Sequence, residues 1–353
     1  MKKSVIIIPA LNPDERLIPY VNELINNGFE KIILIDDGSD EKHKAIFDEV
    51  SKKTECEILK HYINMGKGRA LKDAFNYYLS DINKENEYNG VITVDSDGQH
   101  AVKNVIEMDK ELEKNPDKLI LGVRDFDSEN VPFKSKFGNK ATKNIMKLMY
   151  GGNISDTQTG LRAIPNKLIP MYLTLKGERF EYETGQLIET LRNKVKIVEV
   201  KIETIYDNEN KGTHFRPIAD SIAIYGLIFA TFIKYSCSSL SAAVIDLIAF
   251  SIFSGIFGRF SVEVKIWCAT VFARIISSLF NYKLNEKVVF KSKNKKKSTI
   301  FKYYLLVIIQ MSCSAFLVSI LNKYLISNAV IAKFIIDALL FLVSYQIQRK
   351  FIF

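Results

Sequence analysis

Residues 91–100 read VITVDSDGQH. The apolar run Val91-Ile92-Thr93-Val94 stops at two carboxylates one residue apart, Asp95 and Asp97, and a glycine, a glutamine and a histidine follow. A short β-branched run of this kind reads as a strand buried on both faces. Two similar runs precede it, at 5–8 and 31–35, and helix-like stretches at 14–26 and 68–79 separate the three. Buried strands alternating with helices predict an α/β, Rossmann-like, mostly parallel sheet. Such sheets bind ligands at the carboxyl ends of their strands. Each run here ends in polar chemistry: Pro9-Ala10-Leu11-Asn12, Asp36-Asp37-Gly38-Ser39, and Asp95-Ser96-Asp97-Gly98-Gln99.

Two aspartates on a strand-end turn can hold a divalent metal, with one binding it directly or both sharing it, and Gln99 adds a neutral oxygen. A hard cation with open positions favours diphosphate oxygens. The plainer reading is a turn whose Asp and Gly residues satisfy backbone groups. Three polar strand ends on one sheet edge favour the metal. The segment Asn64-Met-Gly-Lys-Gly-Arg-Ala70 then opens a helix. Its glycines permit close backbone approach, and Lys67 or Arg69 can meet a phosphate near the helix N-terminus. The spacing of a Walker A loop is absent, and a simple turn is the alternative.

IPALNPDE, LIDDGSD, NMGKGRA, TVDSDGQH and SDTQTGLR, in this order and spacing, resemble family 2 glycosyltransferases with a GT-A fold, and among them polyprenyl-phosphate sugar transferases of the dolichol-phosphate mannose synthase type. The resemblance covers residues 1 to about 220. It implies transfer of one sugar from a nucleotide sugar to a lipid phosphate. By resemblance Pro9, Ala10 and Asn12 lie at the donor base, Asp36 and Asp37 near the nucleotide, and Asp95, Asp97 and Gln99 at the metal and diphosphate. Arg124, Lys134 and Ser135 fall on acceptor-phosphate positions, and Asp156, Thr159, Gly160 and Arg162 on the D-x-x-T-G-x-R element beside the reacting centre, with Arg162 also expected at the acceptor phosphate. Leu11 and Pro13 depart from the family's P-x-Y-N-E strand end.

The chemistry agrees with this resemblance. A phosphate monoester has a second pKa of about 6, so the acceptor is ionised at neutral pH and needs little help from a base. The main tasks are to neutralise the leaving diphosphate and to position two anions that repel one another. A bound Mg²⁺ or Mn²⁺ serves the donor side, with Lys67 nearby; Arg124, Lys134 or Arg216 serves the acceptor side. Asp156 is expected to orient those cations or to stabilise positive charge on the sugar, and the alternative is a turn cap before Thr157. Three further acids lie in GERFEYETG, 177–185, and either face the site or start a solvated helix. His100 and His214 read as hydrogen-bonded structural histidines.

Beyond about residue 220 the character changes. An amphipathic stretch over 217–235 reads as an interfacial helix. Four spans are expected near 237–258, 262–282, 302–322 and 328–348. Residues 283–302 hold eight lysines against one acid, Glu286. That cluster sits between apolar spans, so a cytosolic membrane-proximal loop is favoured over nucleic-acid binding, and both termini follow it to the cytosol. The block containing NYKLNEKVVFK is similar to GtrA-like membrane domains, associated with lipid-linked sugars as scaffolds or proposed translocators. Asp246, Arg274 and Asp337 are ionisable residues at similar depth, able to cluster as a structural ion pair or to mark a path.

The expected organisation is a catalytic domain over 1–216, the interfacial helix and a membrane domain over 236–353. The first apolar run is too short for a signal peptide. The four cysteines, at 56, 237, 268 and 313, have neither metal spacing nor a disulfide pattern. The resulting expectation is an integral cytoplasmic-membrane enzyme making a lipid-linked sugar for the cell envelope, with nucleotide sugar, polyprenyl phosphate and membrane lipid as partners and no nucleic acid. A homo-oligomer is compatible with this. A UDP-hexose or UDP-N-acetylhexosamine and undecaprenyl phosphate are the favoured substrates, and GDP-mannose is the alternative. A translocator with a nucleotide-sugar-sensing domain is a second reading. A processive synthase is disfavoured, because the one tryptophan, Trp267, lies in an apolar span.

Overall fold

A computed structural model describes residues 2–125, 133–203, 215–290, 297–325 and 328–353. The side chains of 133–135, 297, 322 and 329 are not described. Lys134 and Ser135, whose backbone is helical, therefore lie outside the described side chains. His214 and residues 291–296 of the lysine-rich loop lie outside the described residues altogether. The chain divides into two compact units, Met1–Ile228 and Phe229–Phe353.

The first unit is built on a sheet that has seven strands among the described residues, in the order β3-β2-β1-β4-β6-β5-β7. They are β1 (Ser4–Ala10), β2 (Ile32–Asp36), β3 (Cys56–Lys60), β4 (Gly90–Thr93), β5 (Leu119–Arg124), β6 (Arg162–Pro165) and β7 (Ile197–Ile202). The helices are α1 (Leu17–Asn26), α2 (Lys44–Ser51), α3 (Lys67–Tyr77), α4 (Val102–Lys114), α5 (Phe133–Tyr150), α6 (Ile169–Leu173) and α7 (Glu181–Arg192). Every residue of β1, β2 and β4 is buried, because helices cover both faces of this part of the sheet. Each buried Ile or Leu contributes roughly 1.5–3 kcal/mol of transfer free energy. The three apolar runs read from the sequence are thus the central strands.

One strand runs against the rest. β6 pairs antiparallel with β4, Thr93 opposite Arg162, and also with β5. The turn entering β6 therefore arrives at the same sheet edge as the turn leaving β4. The Thr93 hydroxyl donates to the Gly160 carbonyl at 2.8 Å and fixes the two turns together.

The second unit is helical. The helix α8 (Pro217–Ile256) begins in the first unit and runs without a break through position 236, where the interfacial segment was expected to end. It is followed by α9 (Val262–Leu284), α10 (Lys297–Tyr324) and α11 (Ala329–Ile347). Among the described residues three helical segments are long and apolar enough to cross a membrane, Pro217–Ile256, Ser298–Leu321 and Val330–Ile352. The expected span at 262–282 is helical, but Glu263, Lys265 and Arg274 interrupt its apolar run and it does not join that set. The expected Asp–Arg–Asp cluster is divided. Arg274 faces Asp246 at 3.6 Å, whereas Asp337 pairs with Lys333 at 2.8 Å.

Candidate active site

At the carboxyl edge of β1 and β4 lies a cavity of about 220 Å³, lined by Pro9, Ala10, Asp37, Lys67, Asp95 and Asp97 among others. Its floor is built from strand-end turns. Asn12 has a left-handed backbone, φ 48°, and exchanges hydrogen bonds with Asp40, so the end of β1 is clamped to the turn after β2. The Asp36 carboxylate accepts from the Ser39 amide at 2.8 Å. The Asp37 carboxylate accepts from the amides of Met65 and Gly66, each at 2.8 Å, and contacts His61 Nδ1 at 2.7 Å. Asp37 thus shapes the turn that opens α3. Gly66 holds φ 100°, and a Cβ there would lie 2.4 Å from the Glu178 carbonyl oxygen, so no other residue fits.

Lys67, at the start of α3, reaches across the cavity. Its ammonium lies 2.7 Å from Asp95 Oδ1 and 3.0 Å from Glu183 Oε2. His100 Nε2 lies 3.2 Å from Asp95 Oδ2, as expected of a hydrogen-bonded histidine. The other basic residue of that turn, Arg69, pairs with Asp73 at 2.8 Å. Burial works to raise the Asp95 carboxyl, but Lys67 and His100 overcome it and hold it well below the ordinary carboxylate range. Asp97 is pushed the other way, by burial and then by the charge of Asp95. Burial opposes the Lys67 charge, yet Asp95 and Glu183 hold it above the usual lysine value. Tyr20, on α1, is raised by burial and by the charges of Asp95 and Asp97, and its buried hydroxyl has no hydrogen-bond partner among the described residues.

The residues present suit a hard cation. Among the described residues no group of three or more His, Cys, Asp or Glu side chains forms a cage. Magnesium, however, is commonly held by one or two carboxylates completed by substrate phosphates and water. Asp95 and Asp97 offer two such carboxylates, and the upward displacement of Asp97, due first to burial and then to the Asp95 charge, is one that a cation between them would oppose. Gln99 is not among the residues lining the cavity, and its backbone amide donates to Asp97 Oδ1 at 3.0 Å.

On the other side of β4, the end of β5 carries Arg124. Its guanidinium forks onto Asp156, Nε to Oδ2 at 2.7 Å and the second contact to Oδ1 at 3.1 Å. Asp156 is fully buried, and it also accepts from the Gln158 amide at 3.0 Å, so one carboxylate both holds Arg124 and caps its own turn. Gly160 is pressed against Asp95. A Cβ at 160 would lie 2.4 Å from Asp95 Oδ2.

Arg162, expected at the acceptor phosphate, is buried instead, 1% exposed. It donates to the carbonyls of Thr159 and Glu183 and to Gln186 Oε1, at 3.0, 2.7 and 2.9 Å. It joins the β6 entry turn to α7 and fixes Glu183 beside Lys67. Arg216 is exposed and pairs with Asp220 at 3.1 Å, which also accepts from Arg179 at 3.2 Å. Arg179 and Phe180 line the cavity, although the sequence reading did not single them out. Their signal was position, next to the acids of 177–185. Of those acids, Glu183 faces the cavity.

Residues 5–170 match the family described as glycosyl transferase family 2, and residues 234–353 the one described as GtrA/DPMS, transmembrane domain. "Uncharacterized protein MJ1222" of Methanocaldococcus jannaschii is 30% identical over 205 residues, which are 57% of this chain and 81% of that one. UDP-N-acetylglucosamine--dolichyl-phosphate N-acetylglucosaminyltransferase of Methanococcus voltae is 29% identical over 222 residues, covering 57% of this chain and 85% of that one. The crystal structure of GalNAc-T7 with UDP, GalNAc and Mn²⁺ aligns with a TM-score of 0.42 at 15% identity, over 69% of this chain and about half, 51%, of that one.

Proposed function

Because this chain belongs to glycosyltransferase family 2 and carries a GtrA/DPMS transmembrane domain, we propose that it transfers one sugar from a nucleotide sugar to the phosphate of a polyprenyl phosphate. The observation that carries this reading is the arrangement of cations on both sides of β4, Lys67 at the cavity and Arg124 at the end of β5. A reaction between a diphosphate ester and a phosphate monoester needs such a pair. The Methanococcus voltae relative, named for a UDP-sugar and a dolichyl phosphate, supports a UDP-N-acetylhexosamine or UDP-hexose donor. Undecaprenyl and dolichyl phosphates present the same phosphate on an isoprenoid chain, and undecaprenyl phosphate is the proposed acceptor.

Pro9, Ala10 and Asp37 form the wall for the nucleotide. Lys67, fully protonated, turns from Asp95 and Glu183 towards the diphosphate oxygens. Asp95 and Asp97 would hold Mg²⁺ or Mn²⁺, which supplies charge neutralisation for the leaving diphosphate when bound. Asp156 fixes the Arg124 guanidinium, which binds the acceptor anion. The acceptor oxygen is already ionised, so its attack on the sugar carbon displaces the nucleoside diphosphate without prior removal of a proton. On this reading residues 1–216, both chain termini and the lysine-rich loop are cytosolic, and the long helices of 236–353 lie in the bilayer, α9 among them as a fourth span.

The test is a panel of radiolabelled nucleotide sugars incubated with the purified protein and undecaprenyl or dolichyl phosphate. One donor should label the lipid, and activity should fall with EDTA and return with Mg²⁺ or Mn²⁺. Labelling of no lipid by any donor refutes the reading.

A further inference from the structure

One histidine ties together the segment between β3 and α3. His61 follows β3 directly, and its amide donates to the Asp36 carbonyl at 2.8 Å. Its side chain is only 9% exposed and stands between two carboxylates. Nδ1 lies 2.7 Å from Asp37 Oδ1, on the turn after β2. Nε2 lies 3.1 Å from Asp73 Oδ2, on α3. Asp37 in turn accepts the Met65 and Gly66 amides. The ring therefore holds, on one side, the carboxylate that shapes the turn and, on the other, the helix that this turn opens. Gly66 and Lys67, which line the cavity, lie between the two holds.

An ionised carboxylate only accepts hydrogen bonds, and a neutral imidazole has a single N–H to give. A neutral ring can serve Asp37 or Asp73, and its bare nitrogen then faces the other carboxylate with no proton between them. The imidazolium has two N–H groups and satisfies both, each as a charge-assisted bond. Arg69 acts on the ring across Asp73, since its Nε shares Asp73 Oδ2 at 2.8 Å. Of the other charged neighbours, Lys60 at the end of β3 is exposed, and the Asp36 carboxylate is taken up by the Ser39 amide.

We propose that His61 is a positioning residue for the donor: as an imidazolium bridging Asp37 and Asp73 it pins Gly66 and Lys67 at the cavity, and loss of one proton releases the Asp73 side. The proposal rests on the nucleotide-sugar reading of that cavity and deepens it. His61 is not among the lining residues, so it works through Asp37 and α3 and not on the substrate itself. Histidine changes charge near neutral pH. The bridge is therefore complete at low pH and is lost as pH rises through the titration of the ring.

The test uses the full-length protein in detergent, at about pH 6 and about pH 8. Hydrogen exchange of residues 61–68, corrected for the intrinsic pH dependence of exchange, is followed by mass spectrometry without nucleotide or metal. Protection should be about three- to tenfold lower at the higher pH, the size of one charge-assisted contact to the partly exposed Asp73. His61→Gln should give low protection at both pH values. Affinity for UDP with Mg²⁺, measured by calorimetry, should follow the same pattern. The titrations of the diphosphate and of Asp97 are common to both proteins and cancel in that comparison. Protection that is the same at both pH values in the unaltered protein overturns the proposal and needs no variant to fold. So does a pH dependence that His61→Gln retains, or a UDP affinity whose pH dependence is the same in both proteins. The expected protection with no binding of UDP or GDP supports the bridge and refutes the nucleotide-sugar reading, so the two failures are distinguishable.

Discussion

Lys67 Nζ lies 2.7 Å from Asp95 Oδ1, so the lysine that opens α3 neutralises the aspartate just beyond β4. The same ammonium holds Glu183, which makes it the shared counter-charge of a cavity containing several acids. Lys67→Met should raise the KM for nucleotide sugar by about tenfold or more, because the lost contact is charge-assisted. Steady-state kinetics with each substrate varied in turn checks this. A change confined to the KM for lipid phosphate would place Lys67 on the wrong substrate.

Asp97→Ala should reduce transfer by about 10²-fold or more while the protein stays folded, since it removes a carboxylate from the diphosphate clamp. Transfer assays with and without EDTA, alongside circular dichroism, decide it. Undiminished activity in the variant would exclude Asp97 from that clamp.

The same residue gives a stability test. A carboxyl whose folded pKa is raised binds more protons folded than unfolded, so its contribution to stability falls as pH rises through the window between its unfolded and folded values. Asp97 is such a group. In metal-free buffer Asp97→Asn should therefore melt above the unaltered protein at pH 7. The gap should narrow as pH falls through the raised Asp97 value and close below the ordinary carboxylate range. A variant less stable at pH 7 contradicts the assignment.

Arg124→Ala leaves the buried Asp156 without its fork, at a cost of about 3 kcal/mol, or roughly 6–12 °C in Tm. Adding Asp156→Asn to Arg124→Ala should restore most of the melting temperature, because the unpaired charge is gone, but should not restore transfer. Thermal melts and transfer rates on the three variants distinguish a packing role from a role in binding the acceptor.

Gly160→Ala should fold, yet its new methyl must displace the Asp95 carboxylate, 2.4 Å away. Donor KM should rise by about tenfold or more, as expected when a charged contact is misplaced. Retention of wild-type donor kinetics would show that Asp95 can move freely.

The three central strands were legible because their apolar runs end abruptly in turn-forming and polar residues, and in two of them that ending also marked Asp37, Asp95 and Asp97 at the cavity. The Lys67–Asp95 pair was not legible as a contact, since 28 residues separate its members, and it forms because α3, leaving β3, packs across β2 and β1 beside β4 in the sheet order β3-β2-β1-β4. Arg162 shows the opposite limit. Its charge was visible in the sequence and suggested a phosphate, whereas its burial follows from the antiparallel placement of β6, whose four residues carry no alternation to announce it. The uninterrupted α8 could have been read, because no glycine or proline falls between 227 and 254. The charges of α9 were equally visible, and they set it apart from the other apolar helices.

The reversed strand β6 has a consequence for how such an enzyme can change. The sheet order places β1 and β2 on one side of β4, and β5 and β7 on the other side of β6. In the proposed mechanism the first group shapes the pocket for the nucleotide, and the second carries the arginine for the lipid. The halves meet along the β4–β6 ladder, where the Thr93 hydroxyl donates to the Gly160 carbonyl. On that mechanism, donor preference and acceptor preference rest on different strands, coupled where Gly160 meets Asp95. Substitutions around Pro9, Ala10 and Arg179 can retune which sugar enters while Arg124 and Asp156 keep their mutual geometry, and a lineage can acquire a new sugar without giving up its lipid.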